Sequence, residues 1–275
     1  MSEQRISLII PAYNEERYLR GCLELVKKQT LKPFEVIVVD NNSTDKTAAI
    51  AAKYDFVTVV RESQQGRVYA QTTGFNRARG ELIARIDADT HLPANWVQEL
   101  AVIAARKPQV AAFTGCGTFY DAPWPRFLGW VQVLIYQLLQ WPAMRSATLW
   151  GATMAIRREA WERSKNHCHR RTDIDEDIDL TLQLRRQGLK VKFVPRLQSE
   201  MSLRRDQTGP RVVAQYLATW PLDYVVNGRY FAAGYIAMLT GFTFVLTTIG
   251  WLVASAKHKM AKRWMAFLVY NKQRS

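Results

Sequence analysis

Cysteine is scarce in this chain. The three present, Cys22, Cys116 and Cys168, lack paired spacing, which excludes a disulfide framework and fits a reducing compartment. His167 and His169 flank Cys168 without partners at ligand spacing, so the tripeptide reads as a solvated loop and not a zinc site. The glycine signatures of common nucleotide sites are also missing. Gly115-Cys116-Gly117 lacks the third glycine of a dinucleotide fingerprint, and no G-x-x-x-x-G-K-[ST] occurs. Acidic residues nearly vanish from 190–275, where 13 Lys/Arg face 3 Asp/Glu, whereas 1–189 hold 25 against 21. With strongly apolar sequence nearby, that excess points to an anionic membrane surface. No zinc-finger spacing or aromatic RNA-binding motif argues for nucleic acid as a partner. No secretory leader precedes the first strand pattern. Charged residues at 23% and hydrophobic residues at 48% exclude wholesale disorder.

What the chain does have is alternation. Residues 6–10 are apolar and lead into Pro11-Ala12-Tyr13-Asn14-Glu15, where Pro11 should stop a strand and Asn14 can cap the next helix. Leu19, Cys22, Leu23 and Val26 then recur at helical spacing. Residues 34–39 predict a second buried strand ending on Asp40, followed by Asn42, Ser43 or Thr44 as caps for a helix over 45–54. Residues 57–60 predict a third strand. Gly66, Ala70, Gly74 and Ala78 mark a closely packed segment. The run 81–86 predicts a strand that stops on Asp87-Ala88-Asp89, with a helix over 94–106 and a strand over 110–114 beyond it. This alternation implies a mostly parallel α/β sheet with helices on both faces. Ligands bind such sheets at the carboxyl ends of the strands, so Asn14-Glu15, Asp40, Asp87 and Asp89 converge on one edge. Alone, Asp-x-Asp could be a turn. At that edge the two carboxylates offer hard oxygens to Mg²⁺ or Mn²⁺, completed by phosphates and water.

The second half is less regular. Residues 127–144 carry no charge, and Gln132, Gln137 and Gln140 fall within about 140° of a helical wheel at ~100° per residue. That pattern fits a buried core helix or one lying at a membrane interface, and the C-terminal sequence favours the interface. Residues 149–158 read as a strand carrying Gly151-Ala152, where glycine would let a substrate approach the backbone or sit at a bulge. Five carboxylates crowd 173–179 ahead of a helix. Acids suit a helix N-terminus, and crowding raises the pKa of some members, as a general base requires. Residues 191–194 predict a last strand closed by Pro195.

Three of these segments together resemble the family 2 glycosyltransferases with the GT-A fold: Pro11-Ala12-Tyr13-Asn14-Glu15, Val38-Val39-Asp40 with Ser43-Thr44-Asp45, and Gly80 through Asp89. The resemblance covers about 5–195. It implies that Pro11, Ala12, Tyr13, Asn14, Glu15 and Asp40 bind the base and ribose of a nucleotide-sugar, UDP- or GDP-linked. Asp87 and Asp89 would hold a divalent cation on the diphosphate. Glu176-Asp177 resembles the family's Glu-Asp box, which makes Asp177 the catalytic base and Glu176 an aid to acceptor binding or loop position. Gly151 and Ala152 would lie on the acceptor side. Asn41-Asn42 stands where the family often has Asp-Gly and leaves the base open. The implied reaction is an inverting single transfer to a hydroxyl on a lipid or cell-envelope glycan, since the Gln-x-x-Arg-Trp motif of processive relatives is missing. A lipid-phosphate acceptor is an alternative. A sugar nucleotidyltransferase would want a Gly-rich basic loop after strand one, and an inactive membrane scaffold would not need Asp87, Asp89 and Asp177 intact.

The expected organisation is a GT-A domain over 1–208, with a nucleotide-sugar half at about 5–115 and an acceptor half at 116–208. A helical membrane-associated region would follow over 209–275. Residues 230–256 hold no charge. As a helix at ~1.5 Å per residue they would exceed the ~30 Å hydrocarbon core. A catalytic domain facing the cytoplasm, with a cationic tail obeying the positive-inside rule, favours a tilted, re-entrant or interfacial segment.

Overall fold

The computed structural model describes residues 4–122, 124–203, 210–245 and 248. Seven strands form one sheet in the order β3-β2-β1-β4-β6-β5-β7. The first four are β1 (Ile6–Ala12), β2 (Glu35–Asp40), β3 (Val57–Arg61) and β4 (Leu82–Arg85), and all run parallel. Their Val/Ile/Leu-rich sequences are buried on both faces because helices cover both. One buried cluster joins β1 and β2 to α1 (Leu19–Lys27) and α4 (Trp96–Arg106). The opposite cluster joins them to α3 (Arg67–Arg77) and α7 (Arg158–Ser164). The short α2 (Thr47–Ala51) follows β2.

β6 (Met154–Arg157) is the antiparallel member, paired with β4 on one side and β5 (Ala112–Phe119) on the other. Its reversed direction decides the site. Met154, where β6 begins, pairs with Arg85, where β4 ends. The 3₁₀ turn Gly151–Thr153 that leads into β6 is thereby set beside Asp87. The strand expected over 149–158 is therefore shorter, because its first residues turn to cross the sheet edge.

Two further expectations need correction. Pro11 does not stop β1; it pairs with Val39 inside the ladder, and β1 ends one residue later. Pro195 does not close the last strand either. β7 runs Val191–Met201, and its pairing with β5 breaks register between Thr114 and Cys116, with Pro195 inside the irregularity. An imino acid that cannot donate to a ladder is tolerated at such a bulge. The extra residues of β7 press Leu197 against Gly115, where an added Cβ would stand 1.7 Å from the Leu197 carbonyl oxygen.

The uncharged stretch 127–144 is helical but broken. α5 (Pro125–Val133) passes into a π-helical segment (Leu134–Leu139) and then α6 (Trp141–Met144). Its amphipathicity is inverted. Gln132, Gln137 and Gln140 point inward, while Phe127, Trp130, Leu138 and Trp141 are exposed. Gln137 explains part of this pattern, since its amide bonds both the N–H and the carbonyl of Thr148.

α8 (Glu176–Arg186) and α9 (Pro210–Val226) are followed by a helix over 230–245. These elements share a buried cluster that includes Ile178, Leu182, Leu217, Trp220 and Ile236. Among the described residues no helix is long and apolar enough to cross a membrane. Of the uncharged run expected over 230–256, positions 246–247 and 249–256 lie outside them.

Gly115→Ala should cost about 3 kcal/mol, the upper part of the overpacking range. The midpoint of a urea unfolding curve would show this, and an unchanged midpoint would mean that the β5–β7 contact is not rigid.

Candidate active site

Two loops at the carboxyl edge of the sheet are stitched together by side chains. Asn14 has a left-handed backbone (φ 54°) and does not cap α1, whose N-cap is Tyr18. Its amide oxygen instead accepts the Thr44 N–H at 2.9 Å, and its own N–H donates to Ser43 Oγ at 3.1 Å. Glu15 N–H donates to Thr47 Oγ1 at 2.7 Å. Asp40 is buried and receives the Ser43 N–H at 3.3 Å. Asn41 bridges a third loop, donating to the Glu62 and Gln64 carbonyls and accepting from Gly66 N–H. The polar residues after β1 and β2 thus brace one another as well as facing the edge.

Behind this rim lies a cavity of about 450 Å³. Pro11, Ala12, Tyr13, Glu15, Asp87, Asp89, Gly151 and Asp177 all line it, so segments distant in sequence meet there. Asn14, Asp40, Ala152 and Glu176 are not among its lining residues; the first two brace the loops, while Ala152 and Glu176 are buried behind the wall.

Arg85 organises the floor. It is 4% exposed, and its guanidinium meets Asp87 at 3.1 Å, Glu176 at 3.1 Å and Asp177 at 2.6 Å. Gln71 accepts from it as well. Asp177 accepts on both oxygens, from Arg85 Nη1 and from Gly151 N–H at 2.7 Å. A Cβ on Gly151 would sit 2.5 Å from Arg85 Cζ. This glycine makes room for the guanidinium, a role that neither the substrate approach nor the bulge considered for it includes. Arg67 adds a second cation, 3.3 Å from Glu176 and stacked over Tyr216.

Helix α8 presents its acids in the way its N-terminus favours. Asp175 is the N-cap and accepts from Asp177 and Ile178 N–H. The electrostatics then separate the three acids. Burial alone would raise Glu176, but Arg67 and Arg85 overcome it and hold the carboxyl below its usual range. Burial raises Asp177 well above that range, with Glu176, Asp175 and Asp87 adding to it and Arg85 opposing. Asp175 is also raised, by burial and by Glu176. Asp223, on α9, accepts the Asp175 N–H at 3.0 Å and is pushed up to about 10, chiefly by burial.

Asp87 and Asp89 suit a hard divalent ion chemically. Around them two arginines face five carboxyl groups, Asp87, Asp89, Asp175, Glu176 and Asp177. Among the described residues no group of three or more His, Cys, Asp or Glu is placed to hold an ion. Two carboxylates completed by substrate phosphates is the usual way Mg²⁺ is held, and the residues present fit that arrangement.

Arg85, Arg67, Gln71 and Asp223 were not picked out by the sequence patterns. Two signals existed. Arg85 is a charge inside an apolar strand run, and Arg67 opens a helix whose macrodipole disfavours a cation there.

The comparisons with known proteins agree with this geometry. The glycosyl transferase family 2 profile matches residues 7–164, and the chain belongs to that family. It is 30% identical over 125 residues to the putative glycosyltransferase EpsH of Bacillus subtilis, covering 44% of this chain and 36% of that one. The probable glycosyltransferase YdaM of the same organism is 28% identical over 208 residues, 70% of this chain and 49% of YdaM. The chain thus spans half or less of the length of these relatives. Among solved structures, mannosyltransferase PcManGT from Pyrobaculum calidifontis, in complex with GDP-Man and Mn²⁺, superposes with a TM-score of 0.61 at 21% identity. The match covers 98% of this chain and 81% of PcManGT. That likeness establishes a shared fold, the GT-A-like α/β architecture.

Arg85→Met should destabilise the protein by about 3–5 kcal/mol, the cost of leaving buried acids without their cation; urea unfolding reads it. Asp223 keeps its proton in the folded protein while the unfolded chain loses it above about pH 4. Its contribution to stability therefore falls as pH rises toward 10. Asp223→Asn does not titrate and retains an oxygen for Asp175 N–H. The variant should lose less melting temperature than the wild type between pH 5 and pH 8.

Proposed function

We propose that the protein is an inverting, metal-dependent glycosyltransferase. It would move a sugar from a UDP- or GDP-linked donor to a hydroxyl acceptor in a single transfer. The observation that supports this most is that Asp87, Asp89 and Asp177 line one cavity, with Arg85 bonded to Asp87 and Asp177 at once.

On this reading Tyr13 and the braced loops carrying Asn14, Glu15 and Asp40 receive the nucleotide. Asp87 and Asp89 would hold Mg²⁺ or Mn²⁺, which when bound neutralises charge on the departing diphosphate. Asp177 takes the proton from the acceptor hydroxyl. As that oxygen bonds the anomeric carbon from the face opposite the leaving group, the bond to the diphosphate breaks and its electron pair leaves with the phosphate oxygen. One such displacement inverts the centre. Arg85 and Gly151 N–H fix the orientation of Asp177 and stabilise its anion, while burial and neighbouring acids increase its affinity for the proton it takes. Glu176, held ionised by Arg67 and Arg85, positions the start of α8.

A lipid-phosphate acceptor would need no base. The position of Asp177 in the cavity wall favours the hydroxyl. The same reading puts the catalytic face toward the cytoplasm at a membrane surface. Trp124, Phe127, Trp130 and Trp141 are each more than half exposed on one segment, the amphipathic composition of an interfacial anchor. Residues 230–256 and the cationic tail would extend that anchor.

Release of free nucleotide from UDP- and GDP-sugars, measured with Mn²⁺, tests the reading. Asp89→Ala should reduce turnover at least 10²-fold, and chelation should do the same. Asp177→Asn should lower it by 10²–10⁴-fold, the usual worth of a general base. A purified protein that cleaves no nucleotide-sugar under these conditions would refute the assignment.

A further inference from the structure

The polar end of the cavity is only part of it. The same continuous space runs between α5, the π-helical segment and α9, where Leu128, Val131, Ile135, Val213, Leu217 and Trp220 form its walls. No nucleotide or sugar needs such walls. Apolar surface turned toward an internal space is unfavourable unless a ligand of matching chemistry covers it.

Within this lobe stands one amide. Gln132 is 7% exposed and lines the cavity, and neither its amide oxygen nor its amide nitrogen has a hydrogen-bond partner among the described residues. Gln137, one and a half turns further on, has both atoms satisfied by Thr148. A buried amide without partners is unfavourable relative to one that is bonded. In a ligand-lined wall, that cost is removed by a polar group of the ligand.

We propose that the acceptor is an amphiphile with a single hydrocarbon chain. Its hydroxyl-bearing head reaches Asp177, Gln132 bonds an oxygen of the head, and the chain lies along the lobe. This inference rests on the glycosyltransferase reading for the role of the head but not for binding of the chain. A free glycan would leave the lobe uncovered, so the acceptor class narrows to a lipid or lipid-linked sugar. The wall residues Leu128, Val131 and Gln132 lie on α5, the helix that also carries the exposed Phe127 and Trp130.

Isothermal titration of the full chain with n-alkyl β-glucosides from ethyl to decyl, each below its micelle concentration, tests the proposal. Each added methylene that enters the lobe should tighten binding about fourfold, the transfer value of one buried methylene. Geranyl β-glucoside against the decyl compound separates an isoprenoid chain from a straight one, and tight binding of either supports the lobe. Val131→Trp and Ile135→Trp fill the walls from two positions and should flatten the chain-length series. Gln132→Leu should weaken every member about fivefold while keeping the ratio per methylene, the worth of one hydrogen bond. A flat series in the wild-type protein overturns the proposal, as does a steep one unchanged in both tryptophan variants, which would place the chain elsewhere. Nucleotide release measured in parallel keeps the two readings apart. Turnover of a donor with a flat series sinks only the amphiphile, and a steep series without turnover of any donor sinks only the transferase.

Discussion

A guanidinium almost withdrawn from water is tolerable only where carboxylates compensate it, and Arg85 is compensated three times over. Its partners come from the loop after β4 and from the first turn of α8, two segments that share no local sequence relationship. Removing a charge from water costs several kcal/mol per ion even after relaxation. The arrangement therefore persists only because each partner is itself held: Asp177 by Gly151 N–H, Glu176 by Arg67, and Asp87 by its own N–H donating to Thr90 Oγ1. The rest of the site follows from this constraint. β6 must run antiparallel to bring Gly151 to the floor, and residue 151 must lack a side chain.

A second layer lies behind the first. α9 is more than a cover for α8. Asp223 reaches from it to the backbone of Asp175, while Asn227 contacts Asp179 and Gln183. His169 closes the same network from the other side through Asp179. The helix that builds the apolar wall of the cavity is thus hydrogen-bonded to the turn that presents the acids. Displacement of α9 would be felt at Asp177 through one carboxylate and one N–H.

Much of the sheet and of the edge where its strands end was legible from residues alone. Apolar runs ending on Asp40 and on Asp87 are a direct consequence of buried parallel strands, and the sheet edge collects whatever those ends carry. What could not be read was anything depending on direction or on contact between distant segments. The reversal of β6 leaves no trace in the composition of Met154–Arg157. Pro11 and Pro195 misled because proline's missing donor matters only where the ladder needs it, which tertiary pairing decides. Asn14 had the right chemistry for a cap and serves a neighbouring loop instead. The glutamines of 127–144 marked a helical face correctly, yet which face turned inward depended on Thr148 and on a cavity invisible to local patterning.

The contact between Gly151 and Arg85 also bears on how such enzymes diversify. Residues 116–208 would be an attractive block to exchange between relatives, since β1 to β4 all end before it. The seam is not clean. The block carries the glycine, the N–H and the acids, while the arginine they were shaped around stays behind on β4. Placed on a relative with a small residue at position 85, this block would leave Asp177 without its cation. A block with a side chain at 151 would collide with the guanidinium. Positions 85 and 151, 66 residues apart, are therefore sterically coupled, and recombination within the family should preserve the two together.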